Sequence, residues 1–278
     1  MKDNLRKFCM GLIVPILFIL VWMFASNKID NPIIIPHISS VLKNFGHAMD
    51  NFIGLGSIPK NIVVSLVRVL SGYIVGVLIA LPLGVLMGYK KRINELFSNF
   101  INVFRPVPPI AWVPLVLAWF GVTSVSTMFG ISGGQLQAYL NNFKFSMMFI
   151  IALGTFFPIV TNTTFAVSSV PKTLVESAKV LGAKEKHIFF KILIPAAAPT
   201  IINGLRTGLG IAWACLIAAE MLPGSLSGVG YLITHAYELG RTDLVVTGMI
   251  CIGAIGALLD GIFRLIEHKY FSWQGKGK

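Results

Sequence analysis

Pro171-Lys172-Thr173-Leu174-Val175-Glu176-Ser177-Ala178-Lys179-Val180-Leu181-Gly182-Ala183-Lys184-Glu185-Lys186-His187-Ile188-Phe189-Phe190-Lys191-Ile192-Leu193-Ile194-Pro195 is a polar stretch set between two long apolar runs. Leu174, Ala178 and Leu181 recur at i, i+4 and i+7, and Ile188, Phe189, Ile192 and Leu193 form a second apolar stripe. The spacing predicts two short amphipathic helices separated by Gly182. Pro171 can open the first, and Pro195 is expected to end or kink the second. A loop joining two membrane spans does not itself require paired amphipathic helices. This one is suited to enter a partner's groove.

Composition places that loop in a membrane protein. Of 278 residues, 55% are hydrophobic and only 12% charged, with a mean hydropathy of +0.78. A soluble domain carries about 25% charge. Six stretches have the roughly 20 apolar residues a span needs, at approximately 8–26, 62–88, 100–120, 146–168, 197–221 and 244–266. The first follows Lys2, Arg6 and Lys7 and lacks a small-residue cleavage site, so it reads as an uncleaved span. The second is longer than required, which puts Asn61 to Arg68 in or beyond the interface.

With the N-terminus inside, the inner segments carry 15 Lys/Arg and the outer segments five. By the positive-inside rule, both termini and the 171–195 loop are cytoplasmic. The net charge of +12 is therefore a topology signal and gives no reason to invoke nucleic acid. Cys9, Cys215 and Cys251 lie apart within apolar runs, and the five histidines lack ligand spacing, so no metal or cofactor is expected. Three regions follow: residues 1–60, an N-terminal span and irregular outer segment; 61–270, the main transmembrane domain; and 271–278, a cytoplasmic tail.

The third span opens Arg105-Pro106-Val107-Pro108-Pro109-Ile110-Ala111-Trp112-Val113-Pro114. Four prolines there cannot make a regular helix. Irregular backbone in a membrane is tolerated only where it is buried or lines a cavity. Pro108, Pro109 and Trp112 are thus candidates either for a kinked packing element or for a translocation path. Residues 89–98 read as a short inner turn, and 122–145 as an outer segment. Within the latter, Gly130-Ile131-Ser132-Gly133-Gly134-Gln135 resembles the signature of transporter ATPases. It is a decoy, because the chain has no GxxxxGK[ST] phosphate loop. A short outer helix is expected from about Tyr231 to Leu239, and Thr242 or Asp243 as the cap of the sixth span.

Arg68, Arg105, Arg206, Glu220, Asp260, Arg264 and Glu267 are the charges at or within spans. Intramembrane charge tends to face a bundle interior or water, whereas charge near a span end can snorkel. Arg105, Arg206 and Arg264 read as end anchors, and Asp260 and Arg264 as an i,i+4 pair. Glu220, followed by a glycine-rich break, is a candidate for a gate or subunit contact, against an ordinary interfacial carboxylate. Arg68 and Arg206 are further candidates for the path. No set of residues supports catalysis.

The opening stretch resembles the EAA loop of the inner-membrane permease subunits of binding-protein-dependent ABC importers. That pattern is Glu-Ala-Ala, three residues, Gly, nine residues, Ile, one residue, Leu-Pro. Glu176, Ala178, Gly182, Ile192 and Pro195 fall on it, with Ser177 and Ile194 as mild departures. Ser65-Leu66-Val67-Arg68-Val69-Leu70-Ser71-Gly72-Tyr73, Arg105 to Trp112, Trp119-Phe120-Gly121, Phe156-Phe157-Pro158, Gly204 to Gly210, Ala218 to Leu222 and Arg241-Thr242-Asp243-Leu244 resemble the branch serving nitrate, sulfonates and taurine. Residues within 125–143 exceed the family pattern and read as an outer insertion.

The resemblance implies an all-α integral membrane protein of about six spans, with the type I ABC importer permease fold. It implies a homodimer in the prokaryotic inner membrane, two cytoplasmic ATPase subunits and an extracytoplasmic substrate-binding protein. The coupling residues would be Glu176, Ser177, Ala178, Leu181, Gly182, Ala183, Lys184, Ile188, Phe189, Ile192 and Pro195, with Ile188, Phe189 and Ile192 as the apolar anchor. The rival readings are a membrane scaffold without a path and an intramembrane enzyme.

Overall fold

The computed structural model describes residues 2–271 apart from Val122, Ser132 and Pro223. Among these the chain is helical, with one isolated antiparallel bridge, Ser124 to Lys144, and no strand. The tail expected at 271–278 lies, beyond Phe271, outside the described residues. So does Ser132 of the decoy motif.

α1 (Lys2–Ile29) stands apart, its apolar faces exposed. Near its C-terminal end, Trp22 Nε1 donates to Pro36 O at 3.0 Å, and Ser26 Oγ meets His37 Nδ1 at 2.8 Å. The segment after it is less irregular than expected. Ile38, Val41, Leu42 and Phe45 make α2 (Ile38–Gly46) amphipathic, and Asn44 Nδ2 donates to Asp243 and Thr247.

The core is built on α3 (Ile58–Tyr89), capped by Ser57. Gly72, Gly76, Ala80, Gly84 and Gly88 recur every fourth residue and lie along one face. A Cβ added at Gly76 would sit 2.7 Å from Thr155 Cβ and 2.9 Å from Ala152 O, and one at Gly84 would sit 2.7 Å from Thr163 Cβ. Small residues let α3 approach α8 (Phe145–Ser168) almost to backbone contact, which is how helices associate where lipid removes the hydrophobic drive.

Between these helices the third span is broken. α4 (Lys91–Phe104) replaces the expected inner turn, with Ile93, Phe97, Ile101 and Phe104 packed on the α3–α8 core. The chain then bends 85° into a 3₁₀ turn (Pro109–Trp112) and α5 (Val113–Phe120). Span three is therefore a bent pair beginning near residue 91, because the prolines remove the donors a straight helix would need. The outer insertion folds as α6 (Val125–Met128), capped by Ser124 and Thr127, and α7 (Gly134–Asn141).

After α8 come α9 (Lys172–Val180) and α10 (Glu185–Ile188), a π-helical turn (Phe189–Leu193) and α11 (Ile194–Glu220). Pro195 does not end the helix. The π turn takes up the register where Pro195 lacks an N–H, and Glu185–Glu220 runs on as one 36-residue span. α12 (Val229–Glu238) is the expected outer helix. α13 (Thr242–Tyr270) closes the bundle against α11 and α12, with Trp213 Nε1 donating to Ile252 O at 3.2 Å. Neither Thr242 nor Asp243 caps it. Thr242 donates to Ile33 O, while Asp243 is held by Arg241 and Asn44. Among the described residues, five helices are long and apolar enough to cross a membrane, or six if the bent pair is counted.

Candidate functional site

The 171–195 stretch is a helical hairpin tied to the bundle at its base. α9 ends in a Schellman turn, in which Gly182 N donates to Lys179 O at 2.9 Å and Ala183 N to Ala178 O at 3.0 Å. This turn requires a left-handed residue, and Gly182 supplies it at φ +77°. Tyr89 Oη donates to Glu185 at 2.8 Å and its ring meets Phe189 edge-on, so the hairpin is braced against the C-terminal end of α3.

Ala178 and Ile188 are buried within the chain, and Phe189 packs with Leu193 beside Ala166, Val167 and Ala197. The second stripe therefore faces inward, and only part of the expected anchor is offered to a partner. The most exposed apolar side chains are at the tip, where Val180 is 87% and Leu181 86% exposed, with Leu174 and Phe190 also exposed on the hairpin. Glu176, Ser177 and Lys184 are exposed around it, with Ala183 half-buried.

At the opposite end of the bundle, Arg68 and Glu220 form a fully enclosed ion pair. Nη1 to Oε1 is 2.8 Å, and the side chains are 3% and 0% exposed. Glu220 also accepts from Ser65 Oγ at 2.9 Å and from Gly230 N at 3.0 Å. Arg68 Nε donates to Asn142 O at 2.8 Å, Nη1 to Ser227 O at 2.7 Å and Nη2 to Ser227 Oγ at 3.0 Å. Ser65 and Asn61 complete the set by accepting from Val229 N and Gly228 N. One pair thus latches α3, the C-terminal end of α11, the 225–228 loop, the start of α12 and the base of the insertion. Glu220 is thus enclosed within the bundle and fully paired. Nearby, burial and then the Arg68 charge hold the Lys144 ammonium below the usual lysine range.

Residues 72–272 match the family described as binding-protein-dependent transport system inner membrane component. The chain belongs to that family. It is 43% identical to a putative ABC transporter permease protein of Methanocaldococcus jannaschii, over 98% of this chain and 95% of that one. It is 31% identical to a putative aliphatic sulfonates transport permease protein of Bacillus subtilis, over 95% and 87%. Among solved structures, the inward-facing MetNI methionine ABC transporter superposes with a TM-score of 0.62 at 18% identity, over 77% of this chain and 95% of that one, which establishes the shared fold. The permease is a multi-pass inner-membrane transport component and not an enzyme, hydrolysis in such systems residing in a partner ATPase.

The remaining candidates of the permease fall in two further places. Arg206 on α11 meets both carboxylate oxygens of Asp260, Nη2 to Oδ2 at 2.9 Å, and Glu267 at 3.3 Å. Arg264 adds the i,i+4 contact to Asp260 at 2.8 Å. This cluster fastens α13 to α11. At the break, Trp112 turns into packing with Val113, Met147 and Ile150, its buried Nε1 without a partner among the described residues. Pro108 is exposed, and Pro109 lines a cavity of about 250 Å³ with Arg105.

Of the four arginines read as path candidates or end anchors, Arg68, Arg206 and Arg264 are paired with carboxylates. Arg105 is not, among the described residues. The sequence placed Arg105 at a span end. The proline run beside it was the signal that the chain bends there, and Arg105 stands exposed at the bend, lining the cavity.

Proposed function

We propose that two copies of this permease enclose a path for a small, anionic organic or inorganic solute. An external binding protein delivers the solute, and two cytoplasmic ATPase subunits seated on the 171–195 hairpins drive the cycle. The observation that carries this reading is the hairpin itself: a rigid turn braced at its base, with Val180 and Leu181 projecting at the tip. Side chains so exposed on an otherwise polar loop suit an apolar pocket in a partner, with Glu176, Lys179 and Lys184 available for the rim.

The same helix that begins at the hairpin ends at Glu220. Its 36 residues span about 54 Å at the α-helical rise. A displacement of α10 by the ATPases therefore reaches the outer latch without crossing a hinge loop, and rigid-body rocking of α11 against α3 provides alternating access. Both termini lie on the hairpin's side, as the basic residues indicate. The anionic character of the solute rests on the sulfonate named for the Bacillus relative.

The test is co-purification of the neighbouring ATPase with tagged permease. Val180→Asp with Leu181→Asp should remove the ATPase while the permease stays folded in the membrane. Retention of the ATPase by that variant would overturn the docking.

A further inference from the structure

The cavity at the break is open on one side, against α8 and α11, and Arg105 is itself exposed on its wall. The cavity is lined by Arg105 and Pro109, by Thr161 and Asn162 of α8, and by Thr207 of α11. Thr207 is central in α11, and Pro158, which also lines the cavity, is ten residues from the inner end of α8. That places the cavity about 15 Å from the inner end, near mid-depth. An anchoring arginine would need to reach headgroups from there, past a helical segment that itself turns away by 85°. A cation left in hydrocarbon at that depth is costly, so intramembrane arginines face water or a counter-charge.

The donors at this cavity are unevenly distributed. Thr161 Oγ1 donates to Phe157 O at 2.8 Å and Thr207 Oγ1 to Asn203 O at 2.9 Å, so both hydroxyl hydrogens are spent on backbone. Asn162 uses one amide hydrogen on Pro158 O at 2.8 Å and keeps the other. Arg105 has no hydrogen-bond or ion-pair partner among the described residues, and its guanidinium offers five donors in a planar fork. We infer that Arg105, with Asn162 beside it, is a way-station for a small oxyanion in the permease path and a determinant of its charge selectivity. A volume of about 250 Å³ holds one such ion with some of its water. A single fork on an open wall binds weakly, as a path that must release its cargo requires.

This inference deepens the transport reading and rests on it, but its test needs no transport. Thr207→Cys is placed in a chain whose Cys9, Cys215 and Cys251 are replaced by alanine, assembled with its ATPase in membrane vesicles. The rates of modification by the anionic 2-sulfonatoethyl and the cationic 2-trimethylammonioethyl methanethiosulfonates are compared with Arg105 present, as Arg105→Gln and as Arg105→Lys. The anion-to-cation rate ratio should fall about tenfold in Arg105→Gln and be largely restored in Arg105→Lys, as expected for a field worth about 1.4 kcal/mol. A ratio indifferent to Arg105→Gln, or a Thr207→Cys thiol that neither reagent reaches, would overturn the site. A shifted ratio in a complex that takes up no solute retained by its binding protein would instead sink the transport reading and leave the anion site standing.

Discussion

Removing Arg68 should destabilise the permease more than any other single polar change in the bundle. At 2.8 Å and an effective dielectric near 20, the gross attraction to Glu220 is about 6 kcal/mol. Desolvation of both groups offsets much of that. Arg68→Met leaves a fully enclosed carboxylate supported only by Ser65 and Gly230, and removes the donors to Asn142 O and Ser227 O. Stranding one partner of such a pair costs about 3–5 kcal/mol. Arg68→Met combined with Glu220→Leu removes both charges and should be less damaging than the sum of the single changes by at least about 2 kcal/mol. The assay is denaturant unfolding of purified permease in mild detergent, followed by far-ultraviolet circular dichroism, for the two singles and the double. A single-variant loss below about 1 kcal/mol, or additivity in the double, would refute the latch.

Three further outcomes follow from the packing. Gly76→Leu places carbon where Thr155 Cβ and Ala152 O already stand, so it should lower stability by at least about 1–3 kcal/mol and reduce recovery of folded protein from membranes. Gly182→Val meets no neighbour but forces a branched side chain to φ +77°, a local penalty of about 1–2 kcal/mol. It should abolish ATP-driven uptake while leaving membrane insertion intact, and Gly182→Asn, which tolerates that backbone, should retain uptake measurably better. Asp260→Asn leaves Arg206 with Glu267 and removes the charge opposite Arg264 at a half-exposed site, so its melting temperature should fall less than that of Arg68→Met.

The apolar runs were legible because length alone identifies a span, and the hairpin because its stripes and glycine are local. Span three was only half legible. The polar residues of α4 hid its packed face of Ile93, Phe97, Ile101 and Phe104, and prolines announce a break without giving its angle. That Pro195 leaves the helix running on depends on a π turn packed against α8, which no local propensity reports. Arg68 and Glu220 were each singled out, yet a pairing across 152 residues is invisible in a single chain. For Arg105 the sequence supplied the residue and its prolines, but depth was inferred from position along an assumed straight helix. The bend changed that depth, and with it the chemistry available to the side chain.

In the proposed cycle, ATP hydrolysis in a partner moves solute through this chain by way of the hairpin. Its most direct test is uptake into proteoliposomes of the solute that the cognate binding protein retains, measured beside ATP hydrolysis. Uptake should require ATP, the ATPase and the binding protein together, and should vanish when Val180 and Leu181 are both aspartate. Uptake that persists without ATP, or in that double variant, would contradict the account.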